Sequence, residues 1–331
     1  MTDDPVDLVY AWCDDTDAKW RAKRMAEAER HGVAASTTEN GACRYRGGDM
    51  LRHSLRSAAA CAPWLRSIFI IVDDDQSLPC WPELKDAKVR VVHHSEVIPA
   101  RFLPTFCSDT IEHHVARIPD LSERFLYAND DMLFWDEVSP SFFFASDGYP
   151  YLRFGSRRKP TADLDEKPYR QWLDNADRLI VREFGTSCSS RHSPVGRLPH
   201  HNVDAYLKSD LLACYDRFHS EIEAAFANPF RNPMTVQRVV YSDYAYAVGH
   251  GHFRRATFNT NCRSAWWRRL LPAWADSLQI VSGRWREAPE LFARFHPRLV
   301  CFNDGLDTTD EDFAWLRDYL RSRWPEGGCL K

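Results

Sequence analysis

Arg124-Phe125-Leu126-Tyr127-Ala128-Asn129-Asp130-Asp131-Met132-Leu133-Phe134 is an apolar, aromatic-rich run that breaks into a polar triplet and then turns apolar again. A short continuous run of this kind predicts a buried strand. Carboxylates placed where a buried strand stops lie at the C-terminal edge of a sheet, where open α/β folds bind ligands. Two adjacent carboxylates and an amide are hard oxygen donors, suited to Mg²⁺ or Mn²⁺ beside a phosphate. The plainer reading is a solvated turn, which Asn and Asp also favour.

Working outward, the same pattern recurs. Val6-Asp7-Leu8-Val9-Tyr10-Ala11-Trp12 predicts a first strand followed by an acidic turn with Asp14, Asp15 and Asp17. Ser67-Ile68-Phe69-Ile70-Ile71-Val72 is the clearest buried strand, and it stops in Asp73-Asp74-Asp75. Val89-Arg90-Val91-Val92 is a further short strand. Helices are expected over 18–30, over 49–62 with Asp49 as cap, and over 108–118 with Ser108 as cap. Strands interleaved with helices through residue 135 predict an α/β fold, a mainly parallel Rossmann-like sheet flanked by helices.

Past Pro140 the pattern is less regular. Residues 156–182 read as an inserted or mobile segment, and 202–228 and 234–248 as helical. Trp266-Trp267-Arg268-Arg269 and Trp274 make an aromatic, basic stretch. Pro297-Arg298-Leu299-Val300-Cys301-Phe302 predicts a late strand ending in Asn303-Asp304, and 310–324 a last helix. With no clean linker, one composite domain over 1–331 is expected: a Rossmann-like part at 1–145, an insert and helical part at 146–296, and a returning strand and helix at 297–331.

The totals exclude several classes. With 44% hydrophobic and 27% charged residues in 331, the chain can bury a real core. A formal charge of -4 gives no global attraction to nucleic acid or an anionic membrane. The first residues are acidic and lack an apolar signal core, and no run approaches the ~18 apolar residues of a membrane span. A cytoplasmic enzyme is expected, with peripheral membrane association left open. The ten cysteines show no C-x-x-C or zinc-type spacing and read as mostly buried, reduced thiols. The absence of G-x-x-x-x-G-K-[ST], G-x-G-x-x-G and G-x-S-x-G motifs argues against a P-loop ATPase, a dinucleotide dehydrogenase and a serine hydrolase.

Four acidic sets therefore end strands: Asp15 with Asp17, Asp73 to Asp75, Asn129 to Asp131, and Asn303 with Asp304. In a parallel sheet two or three of them could meet at one crevice around a divalent ion. Arg44, Arg46, Arg52, Arg56 and Arg231 are candidates to grip phosphate oxygens, although arginines on an amphipathic helix are often just its solvent face. Histidines come in pairs, among them His200-His201 after Leu198-Pro199, and a neutral imidazole there could take a proton from an attacking hydroxyl.

On these segments the chain resembles the Stealth family of bacterial capsular and exopolysaccharide sugar-1-phosphate transferases, which is related to the lysosomal-enzyme GlcNAc-1-phosphotransferase. The matching blocks are Asp7 to Asp17; Arg44 to Arg46 with Asp49 to Ser57 and on to Asp131; Leu198-Pro199-His200 with Phe230-Arg231; and Pro297 to Asp304. Asp15 stands where the family usually has Gly, and Cys107 where it has Asn or Ser. The resemblance implies a GT-A-like nucleotide-sugar half at 1–145 and a helical C-terminal part that completes the site. It implies transfer of a sugar-1-phosphate from a UDP-sugar, UDP-GlcNAc foremost, to a glycan acceptor, with release of UMP and help from Mg²⁺ or Mn²⁺. Under it, Asp131 and Asp304 are expected to hold the metal with Asp130 and Asn303 close by. His200 is expected as general base and Arg231 as phosphate clamp, with Asp131 also catalytic. Val9, Tyr10, Trp12, Asp17, Arg52, Ser54 and Asn129 are expected to seat the nucleotide. The competing expectations are a metal-dependent glycosyltransferase releasing UDP and a non-catalytic carbohydrate-binding protein.

Overall fold

The computed structural model describes residues 4–34, 40–47, 49–158, 168–185, 193–256 and 275–325. In chain order the first half runs β1 (Val6–Ala11), α1 (Ala18–Arg30), α2 (Met50–Cys61), β2 (Ile68–Val72), β3 (Val89–His93), α3 (His94–Val97), α4 (Ser108–Glu112), β4 (Arg124–Asn129), β5 (Met132–Phe134), α5 (Pro140–Phe143) and β6 (Tyr151–Arg157). The second half runs α6 (Pro168–Phe184), β7 (Arg197–Pro199), β8 (Asp204–Leu207), α7 (Lys208–Ala224), α8 (Val239–Ala247), β9 (His252–Arg255), β10 (Ser277–Val281), α9 (Ala288–Phe295), β11 (Leu299–Asn303) and α10 (Asp310–Arg323).

The central sheet has the order β3-β2-β1-β4-β8, with β8 alone antiparallel. The fold is α/β with a mainly parallel sheet, as expected. Side chains alternate across a strand, so Leu8 and Tyr10 point to one face and Val9 to the other. On the first face they join Ile70 and Leu126, α2 residues Leu51, Leu55 and Ala58, and a second sheet in one core. Across the sheet Val9, Phe69, Ile71, Phe125 and Tyr127 pack against α6, α7 and α8. Burial on both faces explains why these strands read as continuous apolar runs.

The second sheet has the order β10-β11-β5. β11 runs parallel to β10 and antiparallel to β5, pairing Leu299 with Phe134 and Cys301 with Met132. The late strand therefore does not extend the central sheet. It reaches the acidic triplet through β5, which follows the triplet directly. A third small sheet has the order β7-β6-β9.

Several elements differ from the expectations. Asp204–Leu207 is a strand, β8, because Ala205, Tyr206 and Leu207 bury against β4; the helix begins only at Lys208. Residues 168–182 form part of α6, whose Leu173, Ala176 and Ile180 are core, so this half of the supposed insert is structural. Asp49 makes no side-chain capping bond to α2. Cys107, not Ser108, holds the N-cap position of α4, which ends at Glu112. Cys13, Cys43, Cys61, Cys80, Cys107, Cys214 and Cys301 are free thiols. Cys188, Cys262, Cys329 and the tryptophans 266, 267 and 274 lie outside the described residues. No helix among the described residues is long and apolar enough to cross a membrane.

One buried carboxylate ties the sheet together. Asp7, fully buried in β1, accepts from Arg66 Nε at 2.8 Å, the Ser67 backbone N–H at 3.1 Å and the Ser122 backbone N–H at 2.7 Å. It fastens the chain entering β2 and the chain entering β4 to the strand between them. Asp7→Ala leaves two buried amide donors unpaired and should lower stability by about 2–4 kcal/mol in a urea unfolding series. A loss under about 0.5 kcal/mol would show that the staple is dispensable.

Candidate active site

β1 and β4 are neighbours in register, with Ala11 opposite Asn129. The connections leaving their C-terminal ends diverge, and this is the switch point at which open sheets form a ligand crevice. A cleft open to solvent occupies that position. Its floor carries Trp12 from the end of β1, Asn129, Asp130 and Asp131 from the β4–β5 turn, and Asn303 and Asp304 from the end of β11. Arg44, Arg46, Arg231, His201 and the aromatic rings of Trp20 and Phe106 complete the walls.

The acidic turn is braced from behind. The Ser54 hydroxyl donates to the Met132 carbonyl and also meets the Tyr10 hydroxyl at 2.8 Å. The Phe302 N–H donates to the Asp131 carbonyl at 3.0 Å, linking the two acidic strand ends through backbone. Gly47 lies against them: a Cβ there would meet Oδ2 of Asp130, and that carboxylate would have to move.

Burial pushes the Asp130 carboxyl above the usual carboxylate range, and the neighbouring Asp131 charge adds to this. Burial raises Asp131 too, against the opposing hydrogen bond from the Cys301 thiol at 3.3 Å. Asn303 acts on the same carboxylate, yet no hydrogen bond of ordinary geometry reaches buried Oδ1 of Asp131. Two neighbouring carboxyls that are hard to ionise together, one oxygen unpaired, form a pair whose charged state a cation would favour.

Two of the other acidic ends have their cations. Asp73 accepts from Lys23 at 2.8 and 3.0 Å. Asp304 is gripped by Arg46, with Nε and Nη2 each 3.0 Å from one carboxylate oxygen. That bidentate pair occupies both oxygens, so Asp304 differs from the open metal ligand expected of it. Arg46 also donates to the Gly305 carbonyl at 3.1 Å.

Of the expected site residues, Trp12, Asn129, Asp130, Asp131, Arg231, Asn303 and Asp304 line the cleft. The others lie elsewhere. Val9 and Tyr10 are core residues of β1. Asp17 caps α1, accepting from the Lys19 and Trp20 N–H groups at 2.8 and 3.2 Å. Ser54 is the brace just described. Arg52 joins Arg56 on Glu83, their Nε atoms 3.0 and 2.6 Å from its carboxylate, so the two arginines are structural.

His200 is displaced most instructively. It is buried, and its Nε2 lies 2.8 Å from Asp204, whose other oxygen accepts from Arg238 at 2.8 Å. Burial works to raise Asp204, but His200 and Arg238 override it and hold the carboxyl near 2. Arg238 continues to Glu112 at 3.3 Å, making a closed structural network. The adjacent imidazole, His201, is the one that faces the cleft. Burial lowers its pKa to about 3, helped by Arg238 and Arg44, which keeps it neutral. The sequence signal for it was the His200-His201 pair itself; nothing in the sequence said which member turns inward. Arg46 and Cys301 were also missed as neighbours of the acids.

Residues 44–152 match Stealth protein CR2, conserved region 2 of the Stealth proteins. The chain is 30% identical to an exopolysaccharide phosphotransferase of Streptomyces coelicolor, over 97% of this chain and 51% of that protein. It is also 30% identical to a capsular polysaccharide phosphotransferase of Haemophilus influenzae, over 69% of this chain and 61% of that protein. It thus spans about half the length of these relatives. The galactosyltransferase LgtC overlays 96% of the chain and 94% of its own at 12% identity and a TM-score of 0.41, too loosely to bear on chemistry. By its conserved region 2 and these relatives, the chain belongs to the Stealth family.

Proposed function

We propose that the chain is a sugar-1-phosphate transferase. It moves a hexose-1-phosphate, GlcNAc-1-phosphate foremost, from a UDP-sugar to a hydroxyl of an acceptor glycan, forming a phosphodiester and releasing UMP. One observation carries this reading: the cleft sets the half-buried pair Asp130 and Asp131 beside a neutral imidazole, His201, with Arg44 and Arg231 on the walls. The relatives' names, exopolysaccharide and capsular polysaccharide phosphotransferase, point the same way.

In this reading His201, its basicity raised from the low value of the empty cleft by the negative charge of the bound diphosphate, accepts the proton of the acceptor hydroxyl as its oxygen attacks the β-phosphorus. The bond from that phosphorus to the bridging oxygen breaks, and UMP leaves with the electron pair. Arg231, held by Asp109 at 3.1 Å and by the Ser108 hydroxyl, brings its guanidinium charge to the phosphoryl oxygens. Trp12, Trp20 and Phe106 offer flat apolar surface to the base or sugar.

Asp130 and Asp131, with Asn129 and Asn303, would hold Mg²⁺ or Mn²⁺. The unpaired Oδ1 of Asp131 and the two neighbouring carboxyls, each pushed up in the absence of a cation, fit such an ion. When bound, the ion supplies positive charge against the diphosphate oxygens. Asp304 remains on Arg46 and fixes that wall.

Incubation with UDP-sugars and a panel of glycans should release UMP; UDP as the nucleotide product would replace this reading with glycosyl transfer. EDTA should stop the release and Mg²⁺ or Mn²⁺ restore it, whereas full activity in EDTA would remove the metal from the account. Asp131→Asn should abolish turnover, yet leave the metal-free melting temperature equal or higher, because the unfavourable carboxyl pair is broken up. An active Asp131→Asn enzyme contradicts the assignment. His201→Ala should lower kcat by about 10²–10⁴-fold. His200→Ala should act mainly on stability, by about 1–3 kcal/mol, through the unpaired Asp204 oxygen. The reverse pattern would return the base role to His200.

A further inference from the structure

Where β4 and β11 end, three unlike donors converge. A carboxylate oxygen of Asp131, an imidazole nitrogen of His201 and Sγ of Cys301 all lie within 4.8 Å of one another. Cys301 is fully buried in β11, and its thiol donates to Oδ2 of Asp131 at 3.3 Å. The other Asp131 oxygen, Oδ1, is the buried atom without a partner. The contact between His201 Nε2 and the Asn303 amide, at 3.5 Å, is too long to lock the ring.

This donor set is unlike that of a magnesium site. Mg²⁺ demands oxygen ligands in a near-ideal octahedron. Thiolate and imidazole favour borderline and soft ions, and three protein ligands with one open position describe a zinc site that can still take a water or a substrate oxygen. Donors on a tetrahedral zinc at ~2.0–2.3 Å lie ~3.3–3.8 Å from each other. A side-chain shift of about 1 Å therefore closes this trio, and His201, on the cleft wall rather than in the core, is the member placed to make it. The cost is the thiol proton, which a coordinated zinc displaces to solvent.

We propose that Asp131, His201 and Cys301 form a binding site for a thiophilic divalent cation of the zinc class, overlapping the hard-ion position of the cleft. Binding follows from the donors alone and does not depend on the transfer reaction. Its consequence does: an ion held there withdraws His201 and Asp131 together, so zinc opposes turnover where magnesium supports it.

Cobalt(II) titrated into the EDTA-treated, desalted full chain tests the site without any turnover assay. A thiolate ligand gives Co²⁺ an intense near-ultraviolet charge-transfer band. The band should saturate at one equivalent, vanish with an equivalent of Zn²⁺ and survive a large excess of Mg²⁺. It should be absent in Cys301→Ser and in Cys301→Ala, the second of which keeps a small apolar group in the core and a folded protein by circular dichroism. His201→Gln should weaken cobalt binding by about tenfold or more. No band in the parent chain, a band that persists in both Cys301 variants, or displacement by Mg²⁺ as readily as by Zn²⁺ would each overturn the proposal.

Discussion

The parallel pairing of β1 with β4, from Val6 opposite Arg124 to Ala11 opposite Asn129, is the constraint on which the rest depends. It places the end of the first strand beside the acidic turn, so that Trp12 and Asp130 share one cleft. The register is held because Leu8, Val9, Tyr10, Phe125, Leu126 and Tyr127 are buried on both faces; a slip of one residue would exchange every one of them between the two cores. Asp7 fastens the opposite end of the pair to the segments that enter β2 and β4. From this frame the turn at 129–132 is carried onward by β5 to β11, and the second sheet delivers Asn303 and Asp304 from a segment far away in sequence.

Charge balance then separates scaffold from site. Asp73 has Lys23, Asp304 has Arg46, Asp204 has Arg238, and Glu83 has Arg52 and Arg56. Truncating either partner of a pair as buried as Asp204 with Arg238 or Glu83 with Arg56 leaves the other uncompensated, so those residues report mainly on folding. Asp130 and Asp131 are different: burial raises both, and Oδ1 of Asp131 has no hydrogen-bond partner. A native fold that keeps two adjacent carboxyls in that state holds locally unfavourable electrostatics at the cleft floor, and such perturbed groups concentrate where ligands bind.

The sequence carried this much for physical reasons that are local. A strand covered on both faces needs an unbroken apolar run, so β1, β2 and β4 were legible, as was the acid that ends each of them. Family blocks supplied the rest of the expected site. What failed was set by long-range partners. Arg52 and Arg56 look like phosphate ligands until α2 meets Glu83, and Asp304 looks like an open carboxylate until Arg46 arrives from 258 positions away. β8 reads as helical in a local window; it is a strand because its apolar residues pack on β4, a contact that no local window contains. His200 and His201 differ by one residue, and the short β7 ahead of them settles which one enters the cleft and which one meets Asp204.

The central claim is that the donor diphosphate lies at the β1–β4 switch point, between the Asp130–Asp131 turn and His201. A crystal structure with a non-reacting UDP-sugar analogue and Mn²⁺, the ion located by its anomalous scattering, tests it most directly. The account predicts manganese on Asp131 or Asp130, with the β-phosphorus facing His201. Manganese at Asp73 to Asp75, or a diphosphate bound away from His201, would contradict it.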